Sequence, residues 1–137
     1  MSRRSHETQW AAQFAVASEL CKRGYEVGFT SGNCTPIADL MVFSPKFQKS
    51  FLVDVKGLSR PNAWILSRKP KTTGLFYVLA LVPADAENRF FIIPQATANQ
   101  IAARELKRLG RSDKYPFMGF NWRAAIRYEE KWDCLPR

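Results

Sequence analysis

Two strand-like apolar runs in this sequence are each interrupted by a single aspartate. Residues 37–43 are apolar apart from Asp39, and residues 51–55 are apolar apart from Asp54. Aspartate is disfavoured in a central strand, and an unpaired buried carboxylate is energetically expensive. Two such residues in neighbouring strands need a partner, and this need limits both how the chain can fold and what it can bind.

The spacing of charged residues in the second run predicts a cation site. Because strand side chains alternate between faces, Asp54 and Lys56 point to the same side, about 7 Å apart along the strand. If the two runs pair, Asp39 lies beside Asp54, and two such carboxylates repel unless a cation neutralises them. Oxygen ligands suit Mg²⁺, for which Mn²⁺ often substitutes. Lys56 would then orient or deprotonate a water, or stabilise charge that develops on a phosphate.

A purely structural interpretation of these residues also stays open. Asp54 and Lys56 could form the polar face of an edge strand. Asp39 could accept hydrogen bonds from a loop and have no catalytic role.

The composition indicates a folded, cationic domain. Of 137 residues, 21 are Lys or Arg and 12 are Asp or Glu, so the formal net charge is +9. This length favours one domain over residues 1–137, and a hydrophobic fraction of 46% is too high for a disordered basic tail. The excess of positive charge indicates a polyanionic partner, with nucleic acid as the first candidate.

The sequence also disfavours several other classes. No apolar run approaches the ~18 residues that cross a membrane, so we expect no membrane partner and no secretory signal. The three cysteines, Cys21, Cys34 and Cys134, are widely spaced, which disfavours a disulfide framework or a zinc site. The single histidine, His6, makes a Ser-His-Asp triad hard to build. We therefore expect a protein of the reducing cytoplasm.

Periodicity and turn residues predict alternating helices and strands. In chain order the predicted elements are a helix at 7–23, a meander of strands at 25–29, 37–43 and 51–56, strands at 75–82 and 89–93, and a helix at 96–109. Residues 32–33 read as a loop, residues 58–73 give no clear pattern, and the C-terminal tail is expected to cover the core.

The first helix is expected to face the core through an apolar stripe. This predicted stripe consists of Trp10, Phe14, Ala17 and Cys21. Gln13 lies at the edge of the stripe, whereas Glu19 lies on the polar side, where it can pair with Lys22 or Arg23.

A basic segment follows the second aspartate. Between Lys56 and Ala84 the chain has several basic residues and no acid. The predicted nucleic-acid contacts in this segment are Arg60, Trp64, Arg68, Lys69 and Lys71. Two alternatives stay open: the segment could be a solvated loop, and Trp64 could fill the edge of the core.

The ordered set of residues resembles the PD-(D/E)xK nuclease superfamily, which has the restriction-endonuclease-like fold. The resemblance runs from Gln13 to about Ile93 and depends on three motifs. These motifs are Lys22-Arg23-Gly24-Tyr25 at the end of a helix, Pro36-Ile37-Ala38-Asp39, and Asp54-Val55-Lys56. Holliday-junction resolvases and small restriction-type endonucleases look similar in this region.

The resemblance implies a fold, an activity and a ligand set. The implied fold is α/β, with a mixed central sheet flanked by helices. The implied activity is a Mg²⁺-dependent endodeoxyribonuclease, in which Asp39, Asp54 and the Val55 carbonyl hold the metal and Lys56 handles the water. DNA is the implied partner, and cutting both of its strands implies a dimer or higher oligomer. Sequence alone does not separate a junction resolvase from a restriction, homing or repair enzyme.

The sequence departs from the family pattern on the first helix. The family usually places a glutamate there, at the position that Gln13 occupies in this chain. We expect Gln13 to complete the site, with Glu19 as the alternative. This departure keeps a non-catalytic DNA-binding module on the same fold open, and the net charge keeps an RNA-binding basic domain open.

Overall fold

The computed structural model describes residues 4–30, 36–112, 114 and 117–137. The helices are α1 (Ser5–Lys22), α2 (Gln95–Arg108) and α3 (Trp122–Ala125). The strands are β1 (Glu26–Phe29), β2 (Leu40–Ser44), β3 (Lys49–Leu58), β4 (Trp64–Ser67), β5 (Leu75–Leu81), β6 (Arg89–Pro94) and β7 (Phe117–Phe120). The predicted elements are therefore present, with bounds that differ by a few residues. The predicted loop at 32–33 and Cys34 lie outside the described residues.

The central sheet is mixed and has the order β1-β2-β3-β5-β6. The first three strands form the predicted antiparallel meander. β3 and β5 pair in parallel, and β6 runs antiparallel to β5. This is the predicted α/β architecture, a mixed sheet flanked by helices. No helix among the described residues has the length and apolar character that a membrane span requires.

Each face of the sheet is covered by its own hydrophobic cluster. On one face, α1 packs onto β3 and its neighbours. On the other face, α2 packs with the β4–β7 ribbon. Alternation along β3 sends Val53 and Val55 to the α1 side, so Asp54 and Lys56 project to the opposite side.

The apolar stripe predicted for α1 is confirmed at Ala17 but wrong at Trp10, Phe14 and Cys21, which are exposed. The side chains that α1 buries are Thr8, Ala12, Val16, Ala17 and Leu20. Trp10 and Phe14, which were predicted to face the core, are about half exposed and contact Phe29 of β1. The small residues face the sheet because α1 lies very close to β3 at Gly57. A Cβ atom at position 57 would be 2.6 Å from the Ala12 Cβ and 3.1 Å from the Thr8 carbonyl oxygen.

Residues 58–73, which gave no clear sequence pattern, contain β4. Trp64 is only 1% exposed, packs edge-on against Phe91 and at a tilt against Trp122, and donates a hydrogen bond from Nε1 to the Ala80 carbonyl at 3.4 Å. A ring buried in this way cannot stack on a base. Its predicted role as a nucleic-acid contact is therefore wrong, and Trp64 belongs to the core.

Candidate active site

The register of β2 and β3 brings the two aspartates together. The ladder ends where Leu40 pairs with Val53, the next residue outward from β2 is Asp39, whose amide donates to the Val53 carbonyl at 2.9 Å, and the side chains of Asp39 and Asp54 share a hydrogen bond. Asp39 therefore lies opposite Asp54, just before β2 begins. The predicted pairing of the two apolar runs is confirmed.

Asp39 caps a strand edge that β2 leaves open. β3 extends beyond the start of β2, and the Val55 amide donates to Asp39 Oδ2 at 2.7 Å. The pKa of Asp39 is raised from its ordinary value of 3.8 to about 6. Burial is the largest cause, and the hydrogen bond that Asp39 shares with Asp54 and the negative charge of Asp54 raise the pKa further. The bond from Val55 and the charge of Lys56 act in the opposite direction.

The raised pKa of Asp39 predicts a pH dependence of stability without metal. Between pH 4 and 6 the folded protein holds a proton on Asp39 that the unfolded chain releases, so this group stabilises the fold at low pH. That contribution is lost as the pH rises through about 6. In EDTA, the melting temperature of wild type should fall relative to that of Asp39→Asn between pH 4 and 7. A pH-independent difference between the two proteins would contradict the prediction.

Asp54 is buried between two lysines. It is 3% exposed, and its Oδ2 lies 3.6 Å from Lys56 Nζ and 3.0 Å from Lys69 Nζ. Both contacts are ion pairs, and no described residue donates a hydrogen bond of normal geometry to this oxygen. Among the described residues, these two ammonium groups are therefore the charges that balance the buried carboxylate.

Lys69 belongs to this site. Its side chain is only 10% exposed, and besides the ion pair with Asp54 it donates a hydrogen bond to the Ile37 carbonyl at 2.7 Å. The sequence placed Lys69 among the surface phosphate contacts, because nothing in the pattern of residues 58–73 indicated that this segment returns across the carboxylates.

Gln95 holds the segment that carries Lys69. The Gln95 side chain is buried at the start of α2, accepts from the Thr72 amide at 2.8 Å and donates to the Pro70 carbonyl at 3.0 Å. Tyr77 pairs in register with Asp54, and burial, reinforced by the charge of Asp54, raises the pKa of Tyr77 to about 12. These two residues support the site from β5 and α2.

Two glutamines of α1 reach the site from the face of the sheet that α1 covers. Gln13 Nε2 lies 3.5 Å from Asp39 Oδ1, at the limit of a hydrogen bond. Gln9, which the sequence interpretation missed, donates to the Val55 carbonyl at 2.6 Å and accepts from the Gly57 amide at 3.2 Å. Residues four apart on a helix share a face, so the spacing from Gln13 was the signal for Gln9. Glu19 instead pairs with Lys22 and Arg23, each at 3.7 Å.

The remaining predicted nucleic-acid contacts lie on the surface. Arg60, Arg68 and Lys71 are exposed on the segments that flank β4. Their role in binding stays a prediction.

The donor set fits a hard divalent cation. Asp39 and Asp54 supply carboxylate oxygens, and the Val55 carbonyl keeps a second lone pair beside its bond from Gln9. Mg²⁺ is commonly held by one or two carboxylates together with waters. Within the described part of the chain, no cluster of three or more His, Cys, Asp or Glu side chains is present. Comparisons with family models, curated proteins and solved structures find no match to this chain.

Proposed function

We propose that this chain is a Mg²⁺-dependent endonuclease that hydrolyses phosphodiester bonds in DNA. The observation that supports the proposal most strongly is the pair of adjacent carboxylates, Asp39 and Asp54, next to two lysines. The hydrogen bond from the Val55 amide accounts for an acceptor at position 39, but it does not require a second acid beside it, where the pKa of Asp39 rises to about 6. The restriction-endonuclease-like fold is part of the same proposal.

The residues of the site divide the work of hydrolysis. Asp39, Asp54 and the Val55 carbonyl would hold Mg²⁺, which supplies Lewis-acid activation of the phosphate. Lys56 is the more exposed of the two lysines, with 28% of its side chain accessible. It can therefore hold the attacking water or donate to a phosphate oxygen as negative charge develops there. Gln13 would orient Asp39 or a water beside it.

A nicking assay tests the proposal directly. Purified protein is incubated with supercoiled plasmid in Mg²⁺, in Mn²⁺ or in EDTA. We expect open-circular and linear products with either ion and none with EDTA. Absence of cleavage with both ions would contradict the nuclease proposal. Four-way junctions and linear duplexes as further substrates would separate a resolvase from a sequence-specific enzyme, and the proposed dimer is checked by sedimentation.

A non-catalytic DNA-binding module is the second candidate. The observation that favours it is Gln13, a neutral residue at the position where the PD-(D/E)xK family, which the chain resembles, usually has a glutamate. This candidate predicts DNA binding that survives EDTA, with no cleavage in any metal. The RNA-binding alternative predicts instead a preference for RNA over DNA in the same binding assay.

An exposed aromatic surface borders the site. It consists of Trp10 and Phe14 on α1 and Phe29 on β1, with ring centroids 5.5 to 6.4 Å apart. Trp10 and Phe14 directly follow Gln9 and Gln13, and the Thr30 amide, next to Phe29, donates to the Asp39 carbonyl at 3.0 Å. The chain has a net charge of +9, so exposed rings beside the proposed active site would suit single-stranded DNA, whose unpaired bases can stack on them.

Trp10→Ala is therefore expected to weaken binding of single-stranded DNA by roughly tenfold, because one base-stacking ring is lost. Fluorescence anisotropy in EDTA measures the affinity. Phe47→Ala is the matched control, since Phe47 is equally exposed but lies in the turn at the far end of β2 and β3. Equal affinities of wild type and Trp10→Ala, or a wild-type dimer that Trp10→Ala dissociates, would contradict this role.

A further inference from the structure

The two lysines at Asp54 are not equivalent. Lys69 lies 3.0 Å from the carboxylate and is 10% exposed, whereas Lys56 lies 3.6 Å away and is 28% exposed. Lys69 also donates to the carbonyl of Ile37, two residues before Asp39. Its ammonium group therefore lies between the chain segments that carry the two carboxylates, where a charge of opposite sign is needed.

We infer that Lys69 is the resident counter-ion of the metal-free site, and that a divalent cation binds by displacing its ammonium group from Asp54. The inference rests on the proposed function, because it concerns the ion that the reaction would use. The ammonium group of Lys69 now lies 3.0 Å from Asp54 Oδ2. A Mg²⁺ ion bound to the same oxygen would therefore lie within about 5 Å of that ammonium group. Repulsion between two cations at that distance in a partly buried site opposes joint occupancy.

The local structure allows the side chain to move while the backbone stays fixed. Gln95 anchors the neighbouring backbone at Pro70 and Thr72. The flexible stem of lysine can then swing without disturbing that anchor. The released ammonium group stays beside the site on a basic segment, where it can contact a phosphate of the substrate.

Calorimetric titration with Mn²⁺ tests the displacement without measuring cleavage. Lys69→Met keeps much of the side-chain length and removes the competing charge, so we expect Mn²⁺ to bind about five- to tenfold more tightly than to wild type. In EDTA the same variant should melt at a lower temperature, since Asp54 loses its nearest counter-ion. Saturating Mn²⁺ should reduce this difference. Lys107→Met is the control, because Lys107 is exposed in the last turn of α2 and should change neither quantity.

The outcomes separate this inference from the proposed function. Equal or weaker Mn²⁺ binding by Lys69→Met would overturn the displacement while leaving the metal site intact. Mn²⁺ binding to neither protein would overturn the metal-dependent function and the displacement together. If Lys69→Met does not fold, Lys69→Arg serves instead: a guanidinium holds a carboxylate more firmly, so Mn²⁺ should bind more weakly than to wild type, and unchanged affinity would overturn the inference.

Discussion

Asp54→Asn is expected to lower the rate of plasmid nicking by about a thousandfold, the scale on which loss of a central electrostatic group acts. The substitution keeps the shape of the side chain but removes the charge that would hold Mg²⁺. It also leaves Lys69, whose side chain is 10% exposed, without its partner. Removing one member of a buried ion pair costs up to about 3–5 kcal/mol, so the melting temperature should fall as well.

The loss of cleavage must be separated from the loss of stability. Rates are therefore measured well below the melting temperature of Asp54→Asn, with circular dichroism to verify that the variant is folded. Asp133→Asn is the matched control, because Asp133 is an exposed acid outside the site and its loss should leave nicking unchanged. Wild-type activity in a folded Asp54→Asn protein would exclude the carboxylate pair as the catalytic centre.

Among the glycines that lie in strands, Gly57 should be the one whose replacement by alanine destabilises the fold most. The added Cβ would meet the Ala12 Cβ at 2.6 Å and the Thr8 carbonyl oxygen at 3.1 Å, so α1 must move away from β3. Overpacking of this kind costs about 1–3 kcal/mol. The shift would also disturb Gln9, which bonds to both Val55 and Gly57. We expect a lower denaturation midpoint and slower nicking.

Two further variants check the cause of this effect. Gly28→Ala changes a strand glycine whose added Cβ would meet nothing closer than 3.9 Å, so its denaturation midpoint should change little. Adding Ala12→Gly to Gly57→Ala removes the nearest clashing atom and should recover part of the lost stability, although glycine in a helix costs about 1 kcal/mol. If the double variant loses as much stability as Gly57→Ala and Ala12→Gly lose together when measured singly, the contact between positions 12 and 57 is not the cause.

The antiparallel meander and the carboxylate pair were predictable because both follow from local patterns. Strand alternation put Asp54 and Lys56 on one face, and the short connection between two apolar runs made their antiparallel pairing the simplest arrangement. Asp39 could then be placed beside Asp54 without knowing the rest of the fold. The register of β2 and β3 confirms this placement.

The orientation of α1 and the position of Lys69 were not predictable in the same way. Large rings usually dominate a buried helix face, but close approach at Gly57 favours Ala12 and excludes Trp10. The segment that carries Lys69 to Asp54 is held by Gln95, more than twenty residues later in the chain, through its bonds to Pro70 and Thr72. Neither effect leaves a periodic signal in the sequence.

The chain order of the site has a consequence for the protein during its synthesis. The acids emerge from the ribosome before Tyr77 and Gln95, yet β3 needs β5 as its parallel neighbour, and Lys69 needs the start of α2. A nascent chain therefore displays Asp39 and Asp54 before β5 and the start of α2, which surround the pair in the folded protein, have been made. If the site binds a divalent cation as proposed, its surroundings are complete only once the second half of the polypeptide has closed over the first.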